Sequence, residues 1–272
     1  MPGAGLQRHL RRFLLALQFF TRIPITGRLA AWVGFSPQML RESAAHFPGV
    51  GWVVGLAAGA AYALAAWALG PTPFTPLAAA VLCTIATVLL TGGFHEDGLA
   101  DTADGLGGSA DRDRALAIMK DSRLGAFGAL ALVLALAAKV ALLAVLGTHG
   151  LGAVLSALFA AHVLSRFGPL LLIRALPYVG DAAGSKSKPL AERIDAATVR
   201  IGLLWCFVPL AQVVPGHGAM FLIVPVLASA MALWLVGRLL ARRLGGFTGD
   251  GLGAAQQCCE IAFYFGAAAV VR

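Results

Sequence analysis

Residues 92–108 read Gly-Gly-Phe-His-Glu-Asp-Gly-Leu-Ala-Asp-Thr-Ala-Asp-Gly-Leu-Gly-Gly, the densest group of chemically competent side chains in the sequence. Asp97, Asp101 and Asp104 stand at i, i+4 and i+7, so a helix over this stretch would line their carboxylates along one face. Like charges at that spacing destabilise a helix by about 0.2–0.5 kcal/mol per pair unless a cation neutralises them. A bound divalent ion is the simplest neutraliser. Ligands that offer only oxygen, here Glu96, Asp97, Asp101 and Asp104, favour Mg²⁺, Mn²⁺ or Ca²⁺ over Zn²⁺. Mg²⁺ takes one or two carboxylates and leaves its other positions to water and substrate phosphate. The bland alternative is a solvated acidic face, and the gathering of four of the chain's 13 acidic residues in this one stretch argues against it. His95 flanks the cluster as a candidate general base, although metal activation would make a separate base optional. The surrounding glycines would let backbone amides approach an anion, a weak signal by itself.

Two further polar runs belong with this one. Met119-Lys120-Asp121-Ser122-Arg123-Leu124-Gly125 precedes an apolar block, and its Lys120 and Arg123 suit either phosphate oxygens or a membrane-border anchor. Gly245-Gly246-Phe247-Thr248-Gly249-Asp250-Gly251 places Asp250 at the start of the last apolar block, where it could complete a metal shell. Arg166, Lys139 and Glu260 lie inside apolar blocks, where an ionisable group costs about 2.5–3.5 kcal/mol on insertion scales and is a functional candidate by default. Arg166 is near enough to the same end to reach a phosphate. Lys139 is expected to snorkel toward the opposite interface. Glu260 is one turn from Gln256, which predicts a buried polar seam, and His162 reads as a satisfied interior histidine.

The elements that must position these groups are set by composition. Of the 272 residues, 59% are hydrophobic and 12% charged, against a soluble norm of roughly 25% charged. The apolar residues come in blocks of bilayer-spanning length, so the expectation is an all-α polytopic integral membrane protein, one domain over 1–272. Spans are expected at about 47–69, 75–94, 125–147, 150–173, 201–215, 219–241 and 252–271, seven in all, after an amphipathic interfacial helix at 6–20. The connections near 70–75, 147–150 and 215–218 carry no Lys or Arg, while the N-terminus and 95–124, 174–200 and 238–251 are rich in both. The positive-inside rule then puts the N-terminus and the acidic segment in the cytoplasm, the C-terminus outside, and the active site on the cytoplasmic face. The net charge of +8 is accounted for by those loops, with no recognition helix or RNA-stacking aromatics to suggest nucleic acid. Cys83, Cys206, Cys258 and Cys259 sit in apolar blocks without metal-ligand spacing. No cleaved signal and no internal repeat is evident.

At these residues the sequence resembles the cobalamin synthase, or adenosylcobinamide-GDP ribazoletransferase, family. The resemblance rests on His95 through Gly105, Met119 through Gly125, Thr248-Gly249-Asp250, Gly253 through Gln257 and Glu260. Phe19-Phe20-Thr21-Arg22-Ile23-Pro24 and Phe47-Pro48 through Gly51 look similar too. It implies a Mg²⁺-dependent enzyme, with Mn²⁺ as a substitute, in the inner membrane of a bacterium. In the implied reaction a hydroxyl of α-ribazole or its 5′-phosphate attacks the cobinamide-linked phosphorus of adenosylcobinamide-GDP and expels GMP. Asp97, Asp101 and Asp104, with Glu96 and Asp250, would then hold the metal. Lys120, Arg123 and Arg166 would clamp phosphate. The expected partners are the two substrates and the lipid bilayer, with a second copy or other cobalamin-pathway enzymes as candidate protein partners.

Two other readings compete. A CDP-alcohol phosphatidyltransferase exchanges an alcohol for a nucleotide in the same way, but its motif has Ala-Arg after Asp-Gly, and here Ala100 is followed by Asp101. A transporter using Lys139, Arg166 and Glu260 would leave the clustered aspartates without a task.

Overall fold

The computed structural model describes residues 2–180 and 194–272, so the expected cytoplasmic segment 174–200 lies partly outside the described residues. Helix α1 (Pro2–Phe20) is the expected amphipathic helix: Leu15, Leu17 and Phe20 are buried, while Leu6 and Leu10 remain exposed as an apolar stripe. Two short helices follow, α2 (Gly27–Val33) and α3 (Pro37–Ser43), the latter capped by Ser36, whose Oγ accepts from the Met39 amide at 3.1 Å. A 3₁₀ turn then leads into α4 (Phe47–Leu69).

The remaining helices are α5 (Thr75–Thr91), α6 (Phe94–Gly108), α7 (Arg112–Met119), α8 (Ala126–Thr148), α9 (Leu151–Ala175), α10 (Ala196–Ala211), α11 (Val213–His217), α12 (Met220–Leu244) and α13 (Gly249–Val270). Among the described residues five segments are long and apolar enough to cross a membrane: Pro37–Leu69, Ala126–Thr148, Leu151–Ala175, Ala196–His217 and Met220–Leu244. Helices α5 and α6 make a sixth if they count as one span bent by 89°. The difference from the expected seven has two causes.

The first is the bend. Gly92 and Gly93 both take left-handed φ, +68° and +70°, which ends α5 and turns the chain into α6. We read α5 as the apolar arm and α6, with its four carboxylates, as lying outside the crossing segments. The second is α13, which has the length of a span but presents Asp250, Gln256, Gln257 and Glu260. It packs against α12, α6, α9 and α8 at once, so its polar residues meet protein and not lipid.

Close approach of α4 to α9 depends on Gly51, Gly55 and Gly59, spaced four apart. A Cβ on Gly55 would lie 3.1 Å from the Phe159 Cα, and one on Gly51 would collide with the His162 carbonyl. This is the small-residue stripe that lets two backbones pack inside a membrane.

The core divides by end. One cluster gathers Phe20, Phe47, Ala115, Ile173, Leu244 and Phe247; the other gathers Tyr62, Leu146, Val154, Val213, Phe221 and Tyr264. The first end holds α1, α6, α7 and the start of α13, and the second holds the turns without Lys or Arg. Charge alternation along the sequence therefore corresponds to the two ends of one bundle.

One expectation is overturned. Lys139 does not snorkel: it is 2% exposed, and its Nζ lies 2.6 Å from Glu260 Oε1. Glu260 also accepts from Gln256 Nε2 at 2.7 Å and Tyr264 OH at 3.2 Å, with His162 Nδ1 3.2 Å away. The polar seam expected from Gln256 and Glu260 is thus present, and Lys139 ties α8 to it. A lysine head without water is held by a paired carboxylate more readily than by a distant interface.

Candidate active site

Helix α6 forms over the whole acidic stretch because α5 stops at the Gly92–Gly93 turn and α13 supports it laterally. The two helices touch at glycines: a Cβ on Gly98 would lie 2.8 Å from the Asp250 carbonyl, and one on Gly253 would lie 3.3 Å from the Gly98 Cα. This crossing brings Asp250 beside the Asp97–Asp101 face. The crowding is electrostatic as well as steric. The carboxyl of Asp101 is pushed up to about 7, first by burial and then by Asp97, Asp250 and Asp104.

Asp104 has a different setting. Its Oδ2 accepts from the Gly125 amide and its Oδ1 from the Gly128 amide, each at 2.8 Å. It is buried and caps the N-terminus of α8 from a neighbouring helix, where a carboxylate meets both unsatisfied amides and the positive end of the helix dipole. Gly125 and Gly128 are glycines because a Cβ at either would run into this carboxylate. Asp104→Asn leaves one amide facing an NH₂ group, so we expect a stability loss of about 1–3 kcal/mol, seen as a lower midpoint of thermal unfolding in detergent. An unchanged midpoint would show that the cap contributes nothing.

Glu96 points along the same crossing. Its Oε1 accepts from Gln257 Nε2 at 3.0 Å, while its Oε2 is buried without a partner among the described residues. His95 is buried and stacks on Phe20, ring centroids 5.8 Å apart and planes 12° from parallel. No group of three or more His, Cys, Asp or Glu side chains closes into a metal cage among the described residues. Asp97, Asp101 and Asp250 instead form a mutually repelling set at the crossing of α6 and α13. Carboxylate oxygens are the donor type that suits Mg²⁺, which takes a few from protein and the rest from water and substrate.

The phosphate-binding candidates separate. Arg166 is buried in the wall of a cavity of about 340 Å³ that also contains His95, Asp97 and Asp250. Its Nη1 donates to the His162 carbonyl at 2.9 Å, and its Nε has no partner among the described residues. Arg123 instead folds onto Asp121, with Nε 3.0 Å from both carboxylate oxygens and Nη2 2.5 Å from Oδ2, and these bonds hold Asp121 down to about 2. Lys120 is exposed at the end of α7. Neither Lys120 nor Arg123 lines the cavity, so the structure brings Arg166 alone of the three to the aspartates.

Sequence reasoning missed the rest of the wall. Phe19, Phe20, Phe47, Phe94, Tyr178 and Phe247 arrive from five separate regions of the chain and make the cavity largely aromatic. The local cue was slight, since aromatic residues at helix ends in a membrane protein read first as interface anchors. Tyr178 and Phe247 are joined by a backbone bridge, with the Val179 amide donating to the Phe247 carbonyl at 3.0 Å. A second, more polar cleft of about 540 Å³ lies on the other side of Asp97, with Arg22, Thr91 and Glu96 in its wall.

The matched region of the cobalamin-5-phosphate synthase family model runs over residues 12–268, from the middle of α1 to the last turns of α13. The chain belongs to the cobalamin-5-phosphate synthase family. Relatives described as adenosylcobinamide-GDP ribazoletransferase agree along nearly the whole length. The protein of Albidiferax ferrireducens is 57% identical over 277 residues, covering 97% of this chain and 99% of the relative. Those of Leptothrix cholodnii and Shewanella amazonensis are 48% and 43% identical, each over at least 95% of both chains. No solved structure matches the chain. The family suggested by the acidic motif is therefore the family of the whole chain.

Proposed function

We propose that the chain transfers the adenosylcobinamide-phosphate group of adenosylcobinamide-GDP to a hydroxyl of α-ribazole or its 5′-phosphate, releasing GMP. The observation that carries this reading is the near full-length identity to relatives described as adenosylcobinamide-GDP ribazoletransferase. The arrangement of α6 and α13 supports it chemically. Displacing a nucleotide from a phosphoanhydride requires neutralising charge on phosphate oxygens and placing an alcohol in line.

Asp97, Asp101 and Asp250 would hold Mg²⁺, which supplies charge neutralisation to the phosphate oxygens when bound. Arg166 presents a guanidinium from the cavity wall, where little water competes for its donors. His95, neighbouring Asp97 and stacked on Phe20, stands where it could accept the proton of the attacking hydroxyl. The four cysteines lie in apolar surroundings that disfavour a thiolate nucleophile, and direct transfer is expected.

The test is direct. Purified protein with adenosylcobinamide-GDP, α-ribazole and Mg²⁺ should yield cobalamin and GMP in equal amounts. Excess chelator should stop it, and Mg²⁺ or Mn²⁺ should restore it, whereas full turnover in chelator would end the metal argument. Uptake into sealed vesicles without GMP release would favour the transporter reading.

The orientation proposed is that of the charge pattern, in the bacterial inner membrane, with α6 and the N-terminus on the cytoplasmic side. An engineered cysteine at Ser109, between α6 and α7, should react with an impermeant reagent only from the cytoplasmic side. Labelling of that position from outside alone would reverse the topology.

A further inference from the structure

The two cavities differ in chemistry and share a wall. Phe19, Phe94 and Asp97 line both. On one side the cavity is aromatic, about 340 Å³, and bounded by Arg166 with an unpartnered buried Nε. On the other the cleft is polar, about 540 Å³, and its cation is Arg22. Arg22 is exposed and lies across Gly92 so closely that a Cβ there would overlap its guanidinium. Gly92 therefore serves two ends: its left-handed φ of +68° turns α5 into α6, and its missing side chain leaves the bed in which Arg22 rests.

We infer that these two cavities divide the substrates at Asp97: the aromatic cavity takes the fused-ring base of the acceptor nucleoside, and the polar cleft takes the diphosphate of the donor on Arg22. The assignment rests on the reaction proposed above. Two observations on size and polarity argue for this division over its reverse. A benzimidazole-type base is planar, apolar and poor in hydrogen-bonding groups, as the walls built from Phe20, Phe47, Tyr178 and Phe247 require. The donor carries bulky groups at both ends of its diphosphate, so it needs an open, polar trough with a cation in the wall, which the Arg22 cleft provides.

Asp97 in the common wall then sits where the acceptor hydroxyl meets the donor phosphorus. Arg166 lines the acceptor side, where its guanidinium would hold a ribose or 5′-phosphate oxygen. Arg22 is on this view a binding residue for the donor.

Kinetics resolved by substrate test the division. Arg22→Gln should raise the KM for adenosylcobinamide-GDP by on the order of tenfold or more and leave the KM for α-ribazole within about twofold. Arg22→Lys should recover part of the loss. Phe20→Leu and Tyr178→Leu should do the converse, weakening α-ribazole by about tenfold with the donor unchanged. Equilibrium binding of α-ribazole and of GDP, each alone, to the same proteins gives a readout that does not depend on turnover. Equal effects of one substitution on both substrates, or the opposite pairing, would overturn the division. Absence of cobalamin formation by the wild-type protein would instead overturn the reaction, and the binding data would still show which cavity takes which ligand.

Discussion

Asp97→Asn is expected to lower turnover by roughly two to three orders of magnitude while the protein inserts and purifies as before. Loss of charge stabilisation at a reacting phosphate corresponds to about 3–4 kcal/mol in the transition state, which is that factor in rate. Stability should not fall, because Asp97 is exposed and the substitution relieves repulsion from Asp101 and Asp250. Asp101→Asn and Asp250→Asn should behave alike. Double substitutions should add little to the worst single one, since residues that act as a unit are non-additive. Near-wild-type rates in all three single variants at normal expression would return this face to simple solvation.

Glu260→Ala should do the reverse, striking the fold before the chemistry. Glu260 is 1% exposed and receives Lys139, Gln256 and Tyr264, with His162 Nδ1 at 3.2 Å. Removing it strands the Lys139 ammonium among α5, α8 and α13, and breaking a buried pair this way costs about 3–5 kcal/mol. The unfolding midpoint in detergent should fall sharply, or the protein should fail to accumulate. Lys139→Met combined with Glu260→Gln should recover part of that loss, because the Lys139 ammonium is then no longer stranded. If the double variant is as unstable as Glu260→Ala, the ion pair is not the source of the effect. Comparison with Asp97→Asn separates the aspartates of α6, expected to act on substrate, from the charges of the buried seam, expected to hold α8, α9 and α13 together.

How far the sequence reached can be judged from particular elements. The acidic face of α6 was legible because a 3.6-residue period puts positions 97, 101 and 104 on one side of any helix. Asp250 was a reasonable partner from its glycine setting, yet its approach to α6 depends on Gly98 meeting Gly253 across two helices, 155 residues apart in sequence. Asp104 carries the same charge and period as its neighbours, and nothing local distinguishes a ligand from a cap. Its capping role exists only because the start of α8 comes back to it. Arg123 looked as good a phosphate clamp as Arg166, but one folds onto Asp121 in solvent and the other is held in a cavity wall.

By itself the sequence determined the class of protein, the helical identity of its segments, the alternation of charged and neutral ends, and the family, because each follows from composition, period or contiguous motif. The tertiary structure decided the rest. It made the helix of the expected last span the central helix of the bundle, with its polar face on protein. It also paired Lys139 with Glu260 and assembled one aromatic and one polar cavity on either side of Asp97. The physical reason is the same in each case. Hydropathy and helical period are properties of one segment, whereas the partner of a buried charge, the depth of a helix and the walls of a cavity are set by segments far apart in the chain that only packing brings together.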